Sequence, residues 1–287
     1  MKRKWIILDC NYLCHRAKHS TGGLRYGETP TGIIYGFLKS ITAFQEIFDT
    51  SHIVFCWDSK TNKRLELFPA YKQKRRSKIK EYTDEELEFE NAFRLQMKKL
   101  RKIYLPMIGY KNVFCQKGYE ADDLIASVCL QLPKKNEAII ISADQDLYQL
   151  IRHNISFYNP QKGKILTLQG FYKKYGIMPE HWGTIKCLAG CSTDEVPGIK
   201  GIGEKTALKY MLGTLKETSK AYLNIKTNIS EYLALNNPLV CLPFRGTKIF
   251  KLKKDKYSEK GWQKVTEKLG MKSLKDKGRR HGKRKLL

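Results

Sequence analysis

The chain has 287 residues, with 54 Lys and Arg against 28 Asp and Glu, for a formal net charge of +26. That length accommodates one large or two modest domains with a proper core. The charge favours a polyanionic partner, nucleic acid above all, and no apolar run approaches the roughly 18 residues of a membrane span.

Met1-Lys2-Arg3-Lys4-Trp5 runs directly into an apolar stretch that Asp9 cuts short, so it is not expected to act as a signal peptide. The eight cysteines lie scattered through apolar segments, as reduced thiols in cytosol would. Cys10/Cys14, near His15, and Cys187/Cys191 are each spaced like one half of a zinc site. Without a CxxC pair, structural zinc is not expected.

Trp5-Ile6-Ile7-Leu8 reads as a buried strand ending at Asp9. Ile33, Ile34, Phe37, Leu38, Ile41, Phe44 and Phe48 recur at helical spacing, predicting a helix over Gly32 to Phe48. His52 to Trp57 is a second strand ending at Asp58. Asn112 to Cys115 is a third, and Ala138 to Ile141 a fourth, followed by Ser142-Ala143-Asp144-Gln145-Asp146. Between the last two, Leu124, Ile125, Val128, Cys129 and Leu132 mark a helix from about Ala121, headed by Glu120, Asp122 and Asp123. Strands alternating with helices imply an α/β fold with a doubly wound, mostly parallel sheet. The site of such a sheet lies beyond the carboxyl ends of its strands.

Three strands thus deliver Asp9, Asp58, Asp144 and Asp146 to one edge, where the helix bearing Glu120, Asp122 and Asp123 also begins. A single acid there is an ordinary cap or turn residue. So many like charges together need a cation, and a ligand set of hard oxygens points to Mg²⁺ or Mn²⁺. Two ions about 3.5–4 Å apart are the arrangement that cleaves phosphodiesters. A haloacid-dehalogenase phosphatase is disfavoured, because Asn11 stands where its second Asp belongs.

The stretch from about Ser59 to Met107 is too long for a plain connection. Its first half is basic, with Lys60, Lys63, Arg64, Lys72, Lys74, Arg75, Arg76, Lys78 and Lys80, and carries Phe68 and Tyr71 among the cations. That pattern suits gripping a single strand, and Lys72 and Arg75 are spaced to share one helical face turned towards a phosphate. The second half, with Phe93, Met97, Leu100 and Tyr104 in helical register, reads as a solvated charged helix. Beyond about Gly170 the strand signals end. Phe171 to Tyr175 and Glu180 to Leu188 read as helices, and the Gly198-x-x-Gly201-x-Gly203 loop opens another over Glu204 to Met211. Gly198, Gly201 and Gly203 allow close approach of a phosphate to free N–H groups, with Lys205 adding charge and Thr206 a hydroxyl. With no strand before it, this is not a dinucleotide fingerprint. From Lys248 the tail is basic, and past about Lys275 it is expected to be disordered and to add salt-sensitive affinity.

These segments together resemble the 5′-nuclease family of 5′→3′ exonucleases and flap endonucleases, in particular the compact bacteriophage enzymes and the nuclease domain of bacterial DNA polymerase I. The motifs are Leu8-Asp9 with Asn11, Trp57-Asp58, Tyr71-Lys72 with Arg75, Glu120-Ala121-Asp122-Asp123, Ser142 to Leu147, and the hairpin from Asp194 to Ala207. The resemblance covers roughly residues 3 to 250. It implies a PIN-like nuclease domain over 1–170 with a helical arch at about 60–105. A helical DNA-binding region over 171–287 follows, containing a helix–three-turn–helix that often holds K⁺. By likeness, Asp9, Asp58, Glu120, Asp122 and Asp123 serve a first Mg²⁺ or Mn²⁺, and Asp144, Asp146 and Asp194 a second. Lys72 and Arg75 position and polarise the scissile phosphate. Arg64, Tyr71, Arg76, Gly198, Gly201, Gly203, Lys205 and Thr206 contact DNA.

The likeness also implies a monomer acting on DNA with 5′ flaps, nicks or free 5′ ends, or on RNA/DNA hybrid. It would work in bacterial or phage-infected host cytoplasm, with any polymerase or single-strand-binding partner supplied separately and no membrane. One position departs from the pattern. The family usually reads Gly-Asp-x-x-Asp before the hairpin, and here Cys191 replaces the first Asp and Glu195 a common Asn. A thiol is a poor Mg²⁺ ligand, so activity is expected to survive on the remaining acids and Cys191→Asp to tighten metal binding. The competing readings are a PIN-type ribonuclease, against which the long arch and hairpin argue, and a branched-DNA binding protein, favoured only by Cys191.

Overall fold

A computed structural model describes residues 3–78 and 81–277. Its strands, numbered along the chain, are β1 (Lys4–Asp9), β2 (Arg25–Tyr26), β3 (Thr29–Pro30), β4 (His52–Cys56), β5 (Val113–Phe114), β6 (Glu137–Ile141), β7 (Ile155–Asn159) and β8 (Lys164–Leu166). β2 and β3 form a small hairpin, and the other six make one sheet in the order β5-β4-β1-β6-β7-β8. Every pairing in that sheet is parallel except β7 with β8.

Successive strand residues face opposite ways, and both faces of this sheet are covered. Trp5 and Ile7 join Val54, Cys56 and Ile140 in one core, while Ile6 and Leu8 join Ile53, Phe55, Ile139 and Ile141 in the other. Burial on both sides is why the strands read as unbroken apolar runs rather than alternating ones.

The helices are α1 (Cys10–Thr21), α2 (Gly32–Phe48), α3 (Arg64–Leu67), α4 (Gln73–Lys78), α5 (Asp84–Lys99), α6 (Leu105–Ile108), α7 (Ala121–Gln131), α8 (Leu168–Tyr175), α9 (Trp182–Ala189), α10 (Glu204–Met211), α11 (Lys220–Val240) and α12 (Glu259–Lys268). α2 buries every apolar residue of its predicted stripe. Fully burying each such side chain contributes about 1.5–3 kcal/mol. α7, α9 and α10 cover the opposite face through Leu124, Ile185 and Ala207 among others.

The connection after β4 is helical, as the arch expectation requires: α3, α4 and α5 lie within it, and Lys80 of its basic run falls outside the described residues. Thr83 opens α5 with a capping box, accepting from the Glu86 N–H while the Glu86 carboxylate accepts from the Thr83 N–H. α5 then docks on the body. Lys18 of α1 pairs with Glu90 at 2.8 Å, and the buried Gln96 carboxamide accepts from the N–H groups of Ile33 and Ile34, at the uncapped start of α2.

The short hairpin β2–β3, the strands β7 and β8 and the helices α1, α6, α11 and α12 escape the sequence reading. β7 is interrupted by polar Ser156, and β8 is largely exposed, so neither shows a clear pattern. α1 carries its apolar residues between basic and polar ones. α11 and α12 lie in a region whose composition is dominated by charge. Yet Trp262, Val265, Leu269, Met271 and Leu274 are buried in the same core as α1 and α2. The last described residues therefore return to the sheet rather than trailing from it. The disorder expected past Lys275 falls mainly on 278–287, outside the described residues.

Candidate metal centre

Parallel pairing puts strand ends side by side. Asp9 lies opposite Cys56 and Leu8 opposite Ile141, so Asp9, Asp58 and Asp144 leave the sheet at one edge. Asp9 caps α1, with Oδ1 accepting from the Tyr12 N–H and Oδ2 from the Ser142 hydroxyl, each at 2.9 Å. The Asp58 carboxylate accepts from the Ala121 N–H at 2.7 Å, which ties the end of β4 to the start of α7. Asn11 accepts from the Asp58 N–H at 3.0 Å. The amide that argued against a phosphatase thus braces the next strand's acid. Asp144 caps the short turn Gln145–Leu150 through the Asp146 N–H.

Asp9, Asp58, Asp122 and Asp146 hold protons unusually tightly. Burial and then the Asp58 charge push Asp9 up to about 7. Burial and then Glu120 push Asp58 up to about 6. Asp122 is raised well above the usual carboxylate range by burial and by Asp144, Asp9, Glu120 and Asp58. Burial and Asp144 take Asp146 to about 6, against the attraction of Lys186. Clustered like charges of this kind are stable as carboxylates only beside a cation. One carboxylate oxygen each from Asp146 and Asp194 and the Cys191 sulfur lie within 4.8 Å of one another.

Four predicted site residues have other work. Asp123, assigned to a metal by likeness, is 0 % exposed and spends its carboxylate on the chain itself. Arg64 donates to both of its oxygens at 2.8 Å, the Glu120 N–H donates to Oδ2 and the Phe244 N–H to Oδ1. Those four bonds use the carboxylate's acceptor capacity. Arg64, expected on DNA, is itself 2 % exposed and also donates to the Leu239 carbonyl. Tyr71, expected to contact DNA, is buried, and its hydroxyl donates to Glu120 at 2.8 Å and lies 3.3 Å from Asp194. Gly198, expected to admit a phosphate, instead packs on the chain: a Cβ there would stand 2.1 Å from the Ala189 oxygen. Gly201 and Gly203 have open space at that position, and Gly203 leads into α10 without a side-chain cap.

Lys72 and Arg75 do converge, though on Asp194 rather than along a helical face. Lys72 precedes α4 with a left-handed φ of 54°, its N–H donating to the Asp194 carbonyl. Its ammonium is bonded to Glu120 and stands 3.7 Å from Asp194, and Arg75 stands 3.9 Å from the same carboxylate. Burial alone would weaken the charge on Lys72, yet Glu120, Tyr71 and Asp194 hold it protonated. Burial would likewise raise Glu120, yet Lys72 and Arg64 hold it below its usual value. Arg76 and Lys205 are exposed and Thr206 half-buried.

Lys186 joins the site without having been expected there. It is buried on α9, 3.0 Å from Asp146 and 2.7 Å from Glu204, so it links the acid cluster to the first turn of α10. Its one signal in the sequence is a single cation in the otherwise apolar Trp182-Gly-Thr-Ile-Lys-Cys-Leu-Ala run.

Residues 4–176 match the sequence model of the 5′–3′ exonuclease N-terminal resolvase-like domain. The chain belongs to the 5′–3′ exonuclease family. It is 33% identical over 251 residues to the 5′–3′ exonuclease of Buchnera aphidicola from Schizaphis graminum, covering 86% of this chain and 79% of that one. It is 36% identical over 219 residues to the Bacillus subtilis 5′–3′ exonuclease, covering 72% and 69%. A stretch 33% identical to thermostable DNA polymerase I of Thermus aquaticus spans 80% of this chain but only 26% of that one. Among solved structures, bacteriophage T5 5′-exonuclease with bound zinc superposes with a TM-score of 0.68 at 24% identity, over 84% of this chain and 90% of that one. The T5 flap endonuclease in a pseudo-enzyme–product complex with DNA and metal ions does so at 0.68 and 22%, over 96% and 98%. The fold of this exonuclease is thus the fold of those phage enzymes. As a family member the chain is a metal-dependent nuclease, and no helix among its described residues is long and apolar enough to cross a membrane.

Proposed function

We propose that this exonuclease hydrolyses phosphodiester bonds in DNA bearing 5′ flaps, nicks or free 5′ ends, with two Mg²⁺ or Mn²⁺ ions held at the sheet edge. The observation that carries the reading is the convergence of Asp9, Asp58, Asp122 and Asp144 from three strand ends and one helix start. The raised proton affinities of Asp9, Asp58 and Asp122 mark uncompensated negative charge. An all-oxygen donor set of that density fits a hard divalent cation. Bound there, such ions supply Lewis-acid charge against the scissile phosphate and make water more acidic.

The chain's own residues supply the rest. Asp146 and Asp194 complete the outer side of the cluster. Asp123 holds α7 in place through Arg64, and so orients Glu120 and Asp122. Lys72 and Arg75, on the flank of the arch, exchange their carboxylate partners for phosphate oxygens when substrate enters. Arg76 lies along the arch, and Gly201, Gly203, Lys205 and Thr206 offer backbone N–H groups, charge and a hydroxyl to the duplex phosphates. A K⁺ ion at that hairpin, action on RNA/DNA hybrid, and work as a monomer in bacterial or phage-infected cytoplasm beside a separate polymerase or single-strand-binding protein are parts of the same reading.

A substrate panel tests it. Labelled 5′-flap, nicked and blunt DNA and a matched single-stranded RNA are incubated with the protein and Mg²⁺. Release of short 5′ products from flap and nicked DNA is expected, and cleavage of the RNA alone would make it a ribonuclease instead.

A further inference from the structure

The outer side of the cluster has a donor that the strand ends lack. Cys191 follows Gly190 at the end of α9 and begins a tight loop that closes on itself. The Cys191 and Val196 backbones exchange two N–H to carbonyl bonds at 3.0 Å, and the Asp194 N–H donates to the Cys191 carbonyl at 3.1 Å. Gly190 is tied down behind it, with φ 72° and a Cβ position only 2.4 Å from the Gly198 nitrogen. The loop therefore has little freedom to move the Cys191 sulfur away from the Asp194 carboxylate. Asp146 faces them from the turn after β6, completing a set of one sulfur and two oxygens within 4.8 Å. Donors on a tetrahedral ion, at bond lengths of about 2.0–2.3 Å, stand about 3.5 Å apart, so small side-chain rotations close the set.

We propose that Asp146, Cys191 and Asp194 form a mixed sulfur–oxygen site that selects a thiophilic divalent cation, of the zinc, cobalt or cadmium class, over Mg²⁺, while the strand-end acids remain a hard-ion site. This rests on reading the cluster as a metal centre. Thiolate is a soft donor that binds Zn²⁺ and Co²⁺ well and Mg²⁺ poorly, whereas carboxylates alone do not discriminate so sharply. Around the three donors, Thr193 lies with its hydroxyl 3.1 Å from the Cys191 sulfur, and Lys186 balances one carboxylate charge from 3.0 Å. Where such an ion is present, Asp146, Cys191 and Asp194 would hold it in the outer position otherwise open to Mg²⁺ or Mn²⁺.

Co²⁺ reports directly on thiolate ligation through its near-ultraviolet sulfur-to-metal charge-transfer absorption. The purified full chain is titrated with Co²⁺ alongside Cys191→Ser, Cys191→Asp and the control Cys115→Ser, which removes the exposed thiol elsewhere. Wild type and Cys115→Ser should develop the band at one equivalent, and both Cys191 variants should lack it. Zn²⁺ should bleach the band, and a large excess of Mg²⁺ should not. Loss of the thiolate should weaken Co²⁺ binding at this site about tenfold or more. A band that persists in Cys191→Ser, or that Mg²⁺ removes as readily as Zn²⁺, overturns the proposal. Mg²⁺-supported flap cleavage by the same preparation separates the two levels. No band with cleavage intact refutes the mixed site alone, and no band with no cleavage refutes the metal centre as well.

Discussion

The acids delivered by strand ends and by the first turn of α7, and those delivered by caps and loops, meet different surroundings. Asp9 and Asp122 are pressed upward by burial and by other carboxylates, with Asp9 braced only by neutral donors, the Tyr12 N–H and the Ser142 hydroxyl. Glu120, Asp146 and Asp194 lie against cations built into the chain, namely Lys72, Arg64, Lys186 and Arg75, which hold Glu120 below its usual value and oppose the upward push of burial on Asp146 and Asp194. Regular structure accounts for the contrast. Parallel strands bring acids to one edge whether or not a counter-charge accompanies them, while the arch and α9 carry long basic side chains that can fold back. The strand-end half therefore depends on a cation from solution. The loop half holds internal substitutes, which a metal or a substrate must displace.

That contrast can be broken at several points. The largest effect is expected on cleavage. Asp9→Asn should cut flap hydrolysis on the order of 10²–10³-fold by removing charge stabilisation at the reacting phosphate. Asp194→Asn should cost about 10–100-fold. Equal losses from the two halves would erase the distinction.

Next in size is a contrast between neighbours on α7. Asp123→Asn leaves Arg64 buried and partly unpaired, and should lower unfolding free energy by about 3–5 kcal/mol in a denaturant titration. Asp122→Asn relieves repulsion, and should raise the melting temperature of the metal-free protein. Lys72→Met should lower turnover while tightening Mn²⁺ binding measured by electron paramagnetic resonance, because the ammonium no longer competes for Glu120 and Asp194. A parallel loss of both would assign Lys72 to structure.

The smallest effect is on pH dependence. Asp9 and Asp58 have folded-state values of about 7 and 6 against an ordinary 3.8, so the folded protein binds protons that the unfolded chain has released. Their stabilising contribution is complete below about pH 4 and is lost as pH rises through 6 to 7. Metal-free melting temperature should fall from pH 5 to pH 8, and Mg²⁺ should restore it. A metal-free protein that melts higher at pH 8 would show that the strand-end acids are already compensated.

Much of this is legible in the amino-acid sequence. Continuous apolar runs at Trp5–Leu8 and Ala138–Ile141 are strong signals because both faces of a parallel sheet are buried, and Asp after each is hard to misplace. The stripe of α2 and the start of α10 at Glu204 are equally plain. What stays hidden is direction. Asp122 and Asp123 are adjacent and chemically alike, but at helical spacing one meets the cluster and the other the Arg64 guanidinium. No local pattern says which, because the partner comes from a residue 59 positions away. Arg64 and Tyr71 are hidden for the same reason, being a cation and an aromatic in a basic stretch that turn inward individually. The buried C-terminal residues Trp262 to Leu274 are masked by composition, since the lysines around them carry the average.

The most direct measurement is cleavage of 5′-labelled flap DNA by wild type and Asp122→Asn, side by side, in Mg²⁺ and in EDTA. Short labelled products are expected from wild type with Mg²⁺ and none from the other three reactions. Product formed in EDTA, or by Asp122→Asn at the wild-type rate, would contradict it.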